Sequence, residues 1–587
     1  MNIIGISSFF HDSACCLIQN GQLVGAVQEE RFSRIKNDPR LPIRAFRYCL
    51  SNADMDITDI DCIAYYESPR EKLSRQIWSN IQGSADPDYS WLDPIRPETS
   101  LREIFGFEGP IKFFDHHKSH AAASYFFSGF DEAGVYISDA VGEWTTTSFS
   151  TASSNDLTIQ KEIKFPDSLG LFYSTITQFL GFKVLSGEYK VMGLAPYGRP
   201  TFVPQLKKLI SWNDRGDYFL NPCYFDFSGK GKMYKTDLLE LLGCKPRKHD
   251  SNILPVHKDI ARSLQRVLEE ILLCQIKHLR TYTDSDNLCL GGGVALNCVA
   301  NGRILRESEF KNLFIQPAAG DAGSSIGAAV LAHVELTGKR PAQKSLPHVY
   351  LGPGYDNEYV EHVLNSTGIK YKSFAKRTDE LLKETVDRLI EGKVIAWFQG
   401  SMEFGPRALG GRSILADPRR SYMRDHINKL IKKREAFRPF APAILEEYMD
   451  VYMKIEVPSP FMLTTCQVKS GNDLPAITHI DGSCRPQTVG KNANNKFRLL
   501  INAFYIKTGC PILVNTSFNV RDEPIVCSPN DALRCMANSE IDTLVIEDYI
   551  VDRVDNIDNF KRGAELMLNT MAPKNKDEIS DTAYTFI

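Results

Sequence analysis

Residues 3–18 read Ile3-Ile4-Gly5-Ile6-Ser7-Ser8-Phe9-Phe10-His11-Asp12-Ser13-Ala14-Cys15-Cys16-Leu17-Ile18. An apolar run, a polar turn and a second apolar run predict two strands joined by a turn where backbone amides and small polar side chains can approach an anion. The continuation, Gln19-Asn20-Gly21-Gln22 and then Leu23-Val24-Gly25-Ala26-Val27, predicts a hairpin turning on Asn-Gly. The pattern returns later. Val135-Tyr136-Ile137-Ser138 reads as a strand, and Asp139-Ala140-Val141-Gly142-Glu143-Trp144-Thr145-Thr146-Thr147 as its turn and the next strand. Two units of one type predict a duplicated α/β fold with nucleotide in the cleft between its halves. His11 and Asp12 sit in the first turn, where an ordinary turn with a capping Asp is the plainer alternative.

Between the two units lies Phe113-Phe114-Asp115-His116-His117-Lys118-Ser119-His120-Ala121-Ala122-Ala123, which predicts a helix start. Positions four apart share a helix face, so His116 and His120 can point at one ion. Asp139, at the end of its strand, and Asp321, in Gly320-Asp321-Ala322-Gly323, are the candidate carboxylate ligands. Two imidazoles and two carboxylates suit a first-row divalent metal and leave room for substrate or water. A histidine pair at this spacing also serves as plain surface or packing residues. Asn287-Leu288-Cys289-Leu290 followed by Gly291-Gly292-Gly293 and a helix is a geometry that brings amides against a nucleotide. A tight strand–helix connection is its bland reading, and no GxxxxGK[ST] motif occurs.

Other stretches carry less. Glu29-Glu30-Arg31-Phe32-Ser33-Arg34-Ile35-Lys36 reads as a solvated charged run. Residues 68–108, polar and proline-containing, read as an insertion or lid. Residues 170–174 and 186–198 read as glycine-punctuated polar loops, suited to substrate contact or to plain connection. Residues 256–280 show helical apolar spacing. Composition shifts near 336–350, which divides the chain into a domain 1–340, a linker 341–372 and a second domain 373–587. In the second, residues 405–438 hold ten Lys/Arg against three Asp/Glu. Gly-Pro and Arg438-Pro439 fix loops there, and arginine forks match phosphate oxygens, so a concentrated anion site is predicted ahead of a merely basic surface. The last ~25 residues read as a loose tail.

A length of 587 residues allows two or three domains. The 69 Lys/Arg against 72 Asp/Glu leave a net charge of −3, which argues against a general nucleic-acid binder. No apolar run reaches a membrane span. The N-terminus lacks a signal-peptide pattern and reads as a first strand. Fourteen cysteines without a CxxC pair read as buried, reduced thiols of a cytoplasmic protein.

Seven motifs together resemble the O-carbamoyltransferases of nodulation and antibiotic tailoring, over nearly the whole chain. They are His11-Asp12-Ser13-Ala14, Glu29-Glu30-Arg31, His116-His117-Lys118-Ser119-His120-Ala121, Gly291-Gly292-Gly293-Val294-Ala295-Leu296-Asn297, Gly405-Pro406-Arg407-Ala408-Leu409-Gly410, Phe437-Arg438-Pro439-Phe440-Ala441-Pro442 and Asn515-Thr516-Ser517-Phe518-Asn519. The resemblance implies an N-terminal actin-like ATPase domain, similar to the tRNA threonylcarbamoyl-transfer protein, and a C-terminal α/β YrdC-like domain that makes the carbamoyl-adenylate. It implies His116, His120, Asp139 and Asp321 as metal ligands, with Fe2+ the expected ion. Carbamoyl phosphate and ATP (with Mg2+) would be gripped by Arg407, Lys432, Arg438, Arg485, Asn519 and Arg521, with Lys433 the alternative to Lys432. Lys36 would contact the activated carbamoyl group, and Gly292, Gly293 and Asn297 would lie by the nucleotide of the first domain. Asp12 is grouped with the reacting residues, and His11 is the expected base. The acceptor would be a hydroxyl of a sugar or natural product. Carbamoyl or threonylcarbamoyl transfer to tRNA or protein, and a non-enzymatic actin-like scaffold, are the rival readings. A homodimer is an open expectation.

Overall fold

The computed structural model describes residues 1–83, 93–227, 231–471 and 474–561. Among the described residues the chain forms two compact units, one from Met1–Glu29 and Asn37–Leu346, the other from Glu30–Lys36 and residues 347–561.

In the first unit, β1 (Asn2–Ser7), β2 (Ala14–Gln19), β3 (Gln22–Gln28), β4 (Cys62–Tyr65) and β5 (Ile111–Phe113) make a sheet of order β3-β2-β1-β4-β5. A second sheet holds β6 (Glu132–Ser138), β7 (Thr145–Ser153) and β8 (Asp156–Lys164), then, beyond a small ribbon of β9 (Ile210–Trp212) and β10 (Tyr218–Leu220), β11 (Asn287–Gly291) and β12 (Asn312–Ile315). Its order, β8-β7-β6-β11-β12, repeats the first. In each, three antiparallel strands in sequence are followed by two that run parallel to the first. The predicted duplication is therefore present strand for strand. The β2–β3 hairpin turns on Asn20 and Gly21, both at positive φ, as an Asn-Gly turn matched to strand twist requires.

The helix Asp321–Thr337 begins with small residues for a steric reason. It packs on β1 and on the helix His116–Tyr125, and a Cβ on Gly327 would overlap the Ser119 carbonyl oxygen. The close approach brings Asp321, at the helix start, level with the two histidines. The predicted helix at 256–280 is Pro255–Leu279, burying Ile260, Leu264, Val267 and Ile271.

Two expectations fail in this unit, the polar loops and the solvated Glu29. Residues 170–174 and 186–198 are not polar loops. They belong to the helices Leu169–Phe179, capped by Ser168 and buried along Leu171, Phe172 and Ile176, and Glu188–Leu194, followed by the short turn Ala195–Tyr197. The apolar residues between the glycines outweigh the turn signal. The stretch 68–108 carries the helices Pro69–Gly83 and Arg96–Phe105, and residues 84–92 lie outside the described residues. Glu29, expected in a solvated run, is buried and accepts the Arg44 and Ala45 amides at 3.0 and 2.9 Å.

The second unit is a mostly antiparallel eight-stranded sheet, with a three-stranded one beside it. Its strands are β13 (Lys372–Ser373), β14 (Ile395–Phe398), β15 (Arg412–Ala416), β16 (Ala441–Leu445), β17 (Met453–Lys454), β18 (Cys466–Val468), β19 (Ser483–Cys484), β20 (Gln487–Val489), β21 (Ile512–Ser517), β22 (Thr543–Ile546) and β23 (Tyr549–Asp552). The orders are β13-β23-β22-β14-β15-β21-β16-β20 and β17-β18-β19. Its core centres on Trp397, Phe398, Phe497, Phe504 and Leu544, large side chains that each stabilise by about 1.5–3 kcal/mol on burial. The expected linker 341–372 is not one. Its helix Asn357–Ser366 puts Val360, Val363 and Leu364 into this core, so the division falls at Leu346.

The rest of the charged run belongs to this unit and is not solvated. Arg31 is 2% exposed, and its Nη2 donates to the Gly405 carbonyl at 2.7 Å. Arg34 donates to the carbonyls of Ile525 (2.7 Å) and Pro524 (2.8 Å). These arginines satisfy loop carbonyls, which sequence periodicity cannot report. No helix among the described residues is long and apolar enough to cross a membrane.

Candidate metal centre and anion pocket

His116 and His120 lie one turn apart on a helix buried everywhere but at Lys118, because Ala121–Ala123 let it pack closely against its neighbours. Their Nε2 atoms are 3.0 Å apart. Asp139 Oδ2, from the turn after β6, stands 3.3 Å from His116 Nε2 and 3.1 Å from His120 Nε2. Asp321 Oδ1 is 3.6 Å from both. Among the described residues these four form a group whose ligand atoms all lie within 4.8 Å of one another, and all four are buried.

The chain's own residues fit an ion here. Two imidazole nitrogens facing each other and one carboxylate oxygen are a poor hydrogen-bond arrangement and a good ligand set. Asp321 Oδ2 is buried without a hydrogen bond. His120 Nδ1 is 3.0 Å from Ser324 Oγ, a contact that, with the proton on Nδ1, leaves Nε2 for the ion. Burial works against charge throughout. Yet the carboxylates outweigh it at His120 and hold it at about 9, and the histidines hold Asp139 well below the usual carboxylate range. Asp321 is lowered too, by His11 and His116 against burial.

His11 joins this centre. Its Nε2 is 3.6 Å from Asp321 Oδ2 and its Nδ1 3.0 Å from Asp12 Oδ2. Burial opposes its charge, but Asp321 and Asp12 hold it at about 9. Asp12 is fixed in turn by Asn37 Nδ2 at 2.6 Å. The glycine turn also reaches the centre, for Gly293 N–H donates to Asp139 Oδ1 at 3.2 Å, and Gly292 takes positive φ beside it. Asn297 caps the helix Cys298–Glu307 and pairs with Gln265 at 3.0 Å, so its side chain is already engaged.

In the second unit, Glu403 Oε1 accepts the amides of Leu409, Gly411 and Arg412, which shapes the loop that carries Arg407. Lys432 is buried. Its Nζ donates to Asn519 Oδ1 at 2.7 Å, to the Asn519 carbonyl at 3.0 Å and to the Ser517 carbonyl. Lys433 is exposed and reaches only to the Asn538 carbonyl at 3.4 Å, so of the two neighbours it is Lys432 that points inward. Burial, then Arg434, Arg438 and Lys36, push Lys432 well below the usual ammonium range. Burial and Arg438 lower Arg434, with Glu435 opposing and Arg485 adding to the effect, and burial and Arg407 lower Arg438 against Glu435 and Asp522. Lys36, Arg407, Lys432, Arg434, Arg438 and Arg485 thus form a cationic cluster whose mutual repulsion Glu435 and Asp522 offset in part, an arrangement suited to an anion.

Arg434 lies in the basic run but is not among the phosphate-gripping residues that the resemblance implies. Its Nε bonds Asn428 Oδ1 at 2.7 Å and its plane lies over Phe440, while its position in the basic run was the one available signal. Arg521 is exposed, with Nε 3.3 Å from Asp522 Oδ2. Arg412 was counted with the anion cluster but is a core residue, stacked on Phe398 and donating to the Gly400 and Pro353 carbonyls at 2.9 Å.

Residues 2–93 and 96–330 match the family model described as carbamoyltransferase N-terminus, and residues 386–553 match carbamoyltransferase C-terminus. The uncharacterized protein sll1178 of Synechocystis is 41% identical, over 94% of this chain and 96% of its own length. The nodulation protein NolNO of Sinorhizobium fredii is 38% identical over 93% and 80%. The 3'-hydroxymethylcephem-O-carbamoyltransferase of Amycolatopsis lactamdurans is 33% identical over 46% and 49%. Family matches across both units set aside the scaffold reading, and the chain belongs to the carbamoyltransferases, enzymes that move a carbamoyl group from donor to acceptor.

Proposed function

We propose that this carbamoyltransferase is ATP-dependent, and that it moves the carbamoyl group of carbamoyl phosphate to a hydroxyl of a sugar or natural product through carbamoyl-adenylate. The observation that carries the proposal is the cluster of Lys36, Arg407, Lys432, Arg434, Arg438 and Arg485, whose positive charge, only partly offset by Glu435 and Asp522, suits a ligand with several phosphates. The second unit, read as YrdC-like, hydrolyses carbamoyl phosphate with one water to carbamate and inorganic phosphate, and a carbamate oxygen then attacks the α-phosphorus of ATP, with pyrophosphate leaving. The arginines offset charge on both phosphate groups as these bonds change.

The first unit, read as an actin-like nucleotide-binding domain on its repeated sheet order, carries out the transfer. The acceptor oxygen attacks the carbamoyl carbon, AMP leaves, and the hydroxyl proton passes to a base. His11, oriented by Asp12 at 3.0 Å, is that base in its neutral form, which an ion bound beside Asp321 would favour by offsetting the carboxylate charge that otherwise keeps the ring protonated. His116, His120, Asp139 and Asp321 hold the divalent ion, taken to be Fe2+. When bound, it supplies Lewis acidity and orients the leaving phosphate. Gly292 and Gly293 face the nucleotide, while Asn297 holds the helix behind them. The Amycolatopsis relative is named for carbamoylating a hydroxymethyl group, which supports a hydroxyl acceptor.

The test needs no known acceptor. Purified protein with ATP and carbamoyl phosphate catalyses exchange of labelled pyrophosphate into ATP, and exchange stops without carbamoyl phosphate. Formation of ADP without exchange or AMP defeats the adenylate route.

A further inference from the structure

Glu143 has no place in the chemistry above, yet its carboxylate is buried and doubly engaged. It sits in the turn from Asp139 to Thr145, closed by Asp139 N–H to the Thr146 carbonyl and Gly142 N–H to the Thr145 carbonyl, both 2.9 Å. From there it accepts the His116 amide at 3.0 Å (Oε1) and 3.2 Å (Oε2). It also accepts the Ser68 amide at 2.6 Å, just before the helix Pro69–Gly83. The next residue repeats the link, since Trp144 Nε1 donates to Ser74 Oγ at 2.8 Å. One turn therefore carries a metal ligand, Asp139, and grips by its backbone the residue that carries another, His116. The same turn is pinned to the inserted helix.

We propose that Glu143 is a positioning residue of the metal centre, fixing the separation of His116 from Asp139 and coupling both to the inserted helix Pro69–Gly83. The inference rests on the metal reading given under Proposed function. A carboxylate that merely capped a helix would contribute stability alone. This one joins the two segments whose side chains must meet at one point, so its loss displaces a ligand by a fraction of an ångström, and ligand supports of this kind are worth about 10- to 100-fold in ion affinity.

The experiment uses the full chain, freed of metal by a chelator and titrated with cobalt(II), whose visible absorption reports ligand geometry. Glu143→Ala lowers cobalt affinity by about 10- to 100-fold and changes the band shape. Glu143→Gln keeps an oxygen for both amides and stays within about threefold of the unchanged protein, because those two bonds survive. Glu143→Asp, one methylene short, keeps the charge and fold but not the reach, and behaves like Glu143→Ala should the alanine variant not fold. Unchanged affinity and spectrum in a folded Glu143→Ala or Glu143→Asp protein overturn this inference alone. A failure of the unchanged protein to take up cobalt overturns the metal reading and this inference with it.

Discussion

Asp139 Oδ1 accepts the Gly293 amide at 3.2 Å while its Oδ2 stands 3.1 Å from His120 Nε2. One carboxylate thus ties the glycine turn after β11 to the candidate ligand set. Asp139→Asn therefore disturbs both. It lowers carbamoyl transfer by at least about 100-fold, the scale expected when a ligand is removed rather than its support. It leaves carbamoyl-phosphate-dependent pyrophosphate exchange, which the proposed route assigns to the second unit, near its original rate. Loss of both activities together would contradict this division of labour.

Lys432 and Lys433 are neighbours with opposite surroundings. Lys432→Ala removes a buried cation from the anion pocket and costs pyrophosphate exchange about 100-fold or more, the scale of a lost charge-assisted contact to a reacting phosphate. Lys433→Ala, an exposed change, stays within about threefold. Steady-state exchange rates of the two variants decide it, and equal effects would remove the distinction.

Repelling cations are relieved by a bound anion, so phosphate stabilises the protein. At 100 times its dissociation constant a ligand contributes about 2.7 kcal/mol. The melting temperature of the second unit's transition rises by a few degrees in inorganic phosphate, and the rise shrinks in Arg434→Ala and Arg438→Ala. A calorimetric scan with chloride at equal ionic strength is the control. An identical rise with chloride would mean simple screening.

Glu29 gives a pH-dependent stability. Burial pushes its carboxyl from 4.5 up to about 7, with Asp38 adding to the rise and the Ala45 and Arg44 amides opposing it. The folded state holds the proton more tightly than the unfolded one. Its contribution is therefore complete below the unfolded value and lost as pH rises through about 7. Glu29→Gln does not lose it. The variant's advantage over the unchanged protein grows between those limits by about 1–2 kcal/mol, less than the full 1.36 per unit because water screens part of the group. Urea midpoints at pH 5 and pH 7.5 measure it, and a constant difference would refute it.

Gly327 sets how closely two helices approach. A methyl group there meets the Ser119 carbonyl, so Gly327→Ala destabilises the first unit by about 1–3 kcal/mol. It also moves Asp321 from the histidines, and divalent-ion affinity falls in the same variant. Retained ion affinity in a destabilised variant would mean that the ligand set tolerates the shift.

Much of this was legible beforehand where the signal is local. Asn20-Gly21 names its turn, and the apolar runs around Asp12 and Asp139 name the repeated sheets. The spacing of His116 and His120 names their shared face. Asp321 could be found only as a carboxylate at a helix start in small residues, since nothing in sequence separates it from other aspartates. What escaped is non-local. Arg31 and Arg34 look like surface charge and are instead spent on carbonyls of Gly405, Pro524 and Ile525. Arg412, one of the cations in the basic run, is a core residue, because Phe398 and five backbone carbonyls surround it. Glycines at 170 and 187 suggested loops, but Leu171, Phe172 and Val191 had hydrophobic burial to offer a helix.

Glu30–Lys36, interposed near the N-terminus, is built into the later unit. Cutting the gene after codon 346 would therefore produce a C-terminal fragment without the guanidinium groups that close three of its carbonyls. Such a fragment should express poorly, and supplying the excised heptapeptide on a short tether should rescue it. Domain shuffling within this lineage is correspondingly constrained, since a recombination point that looks clean on the map leaves behind a piece the recipient cannot do without.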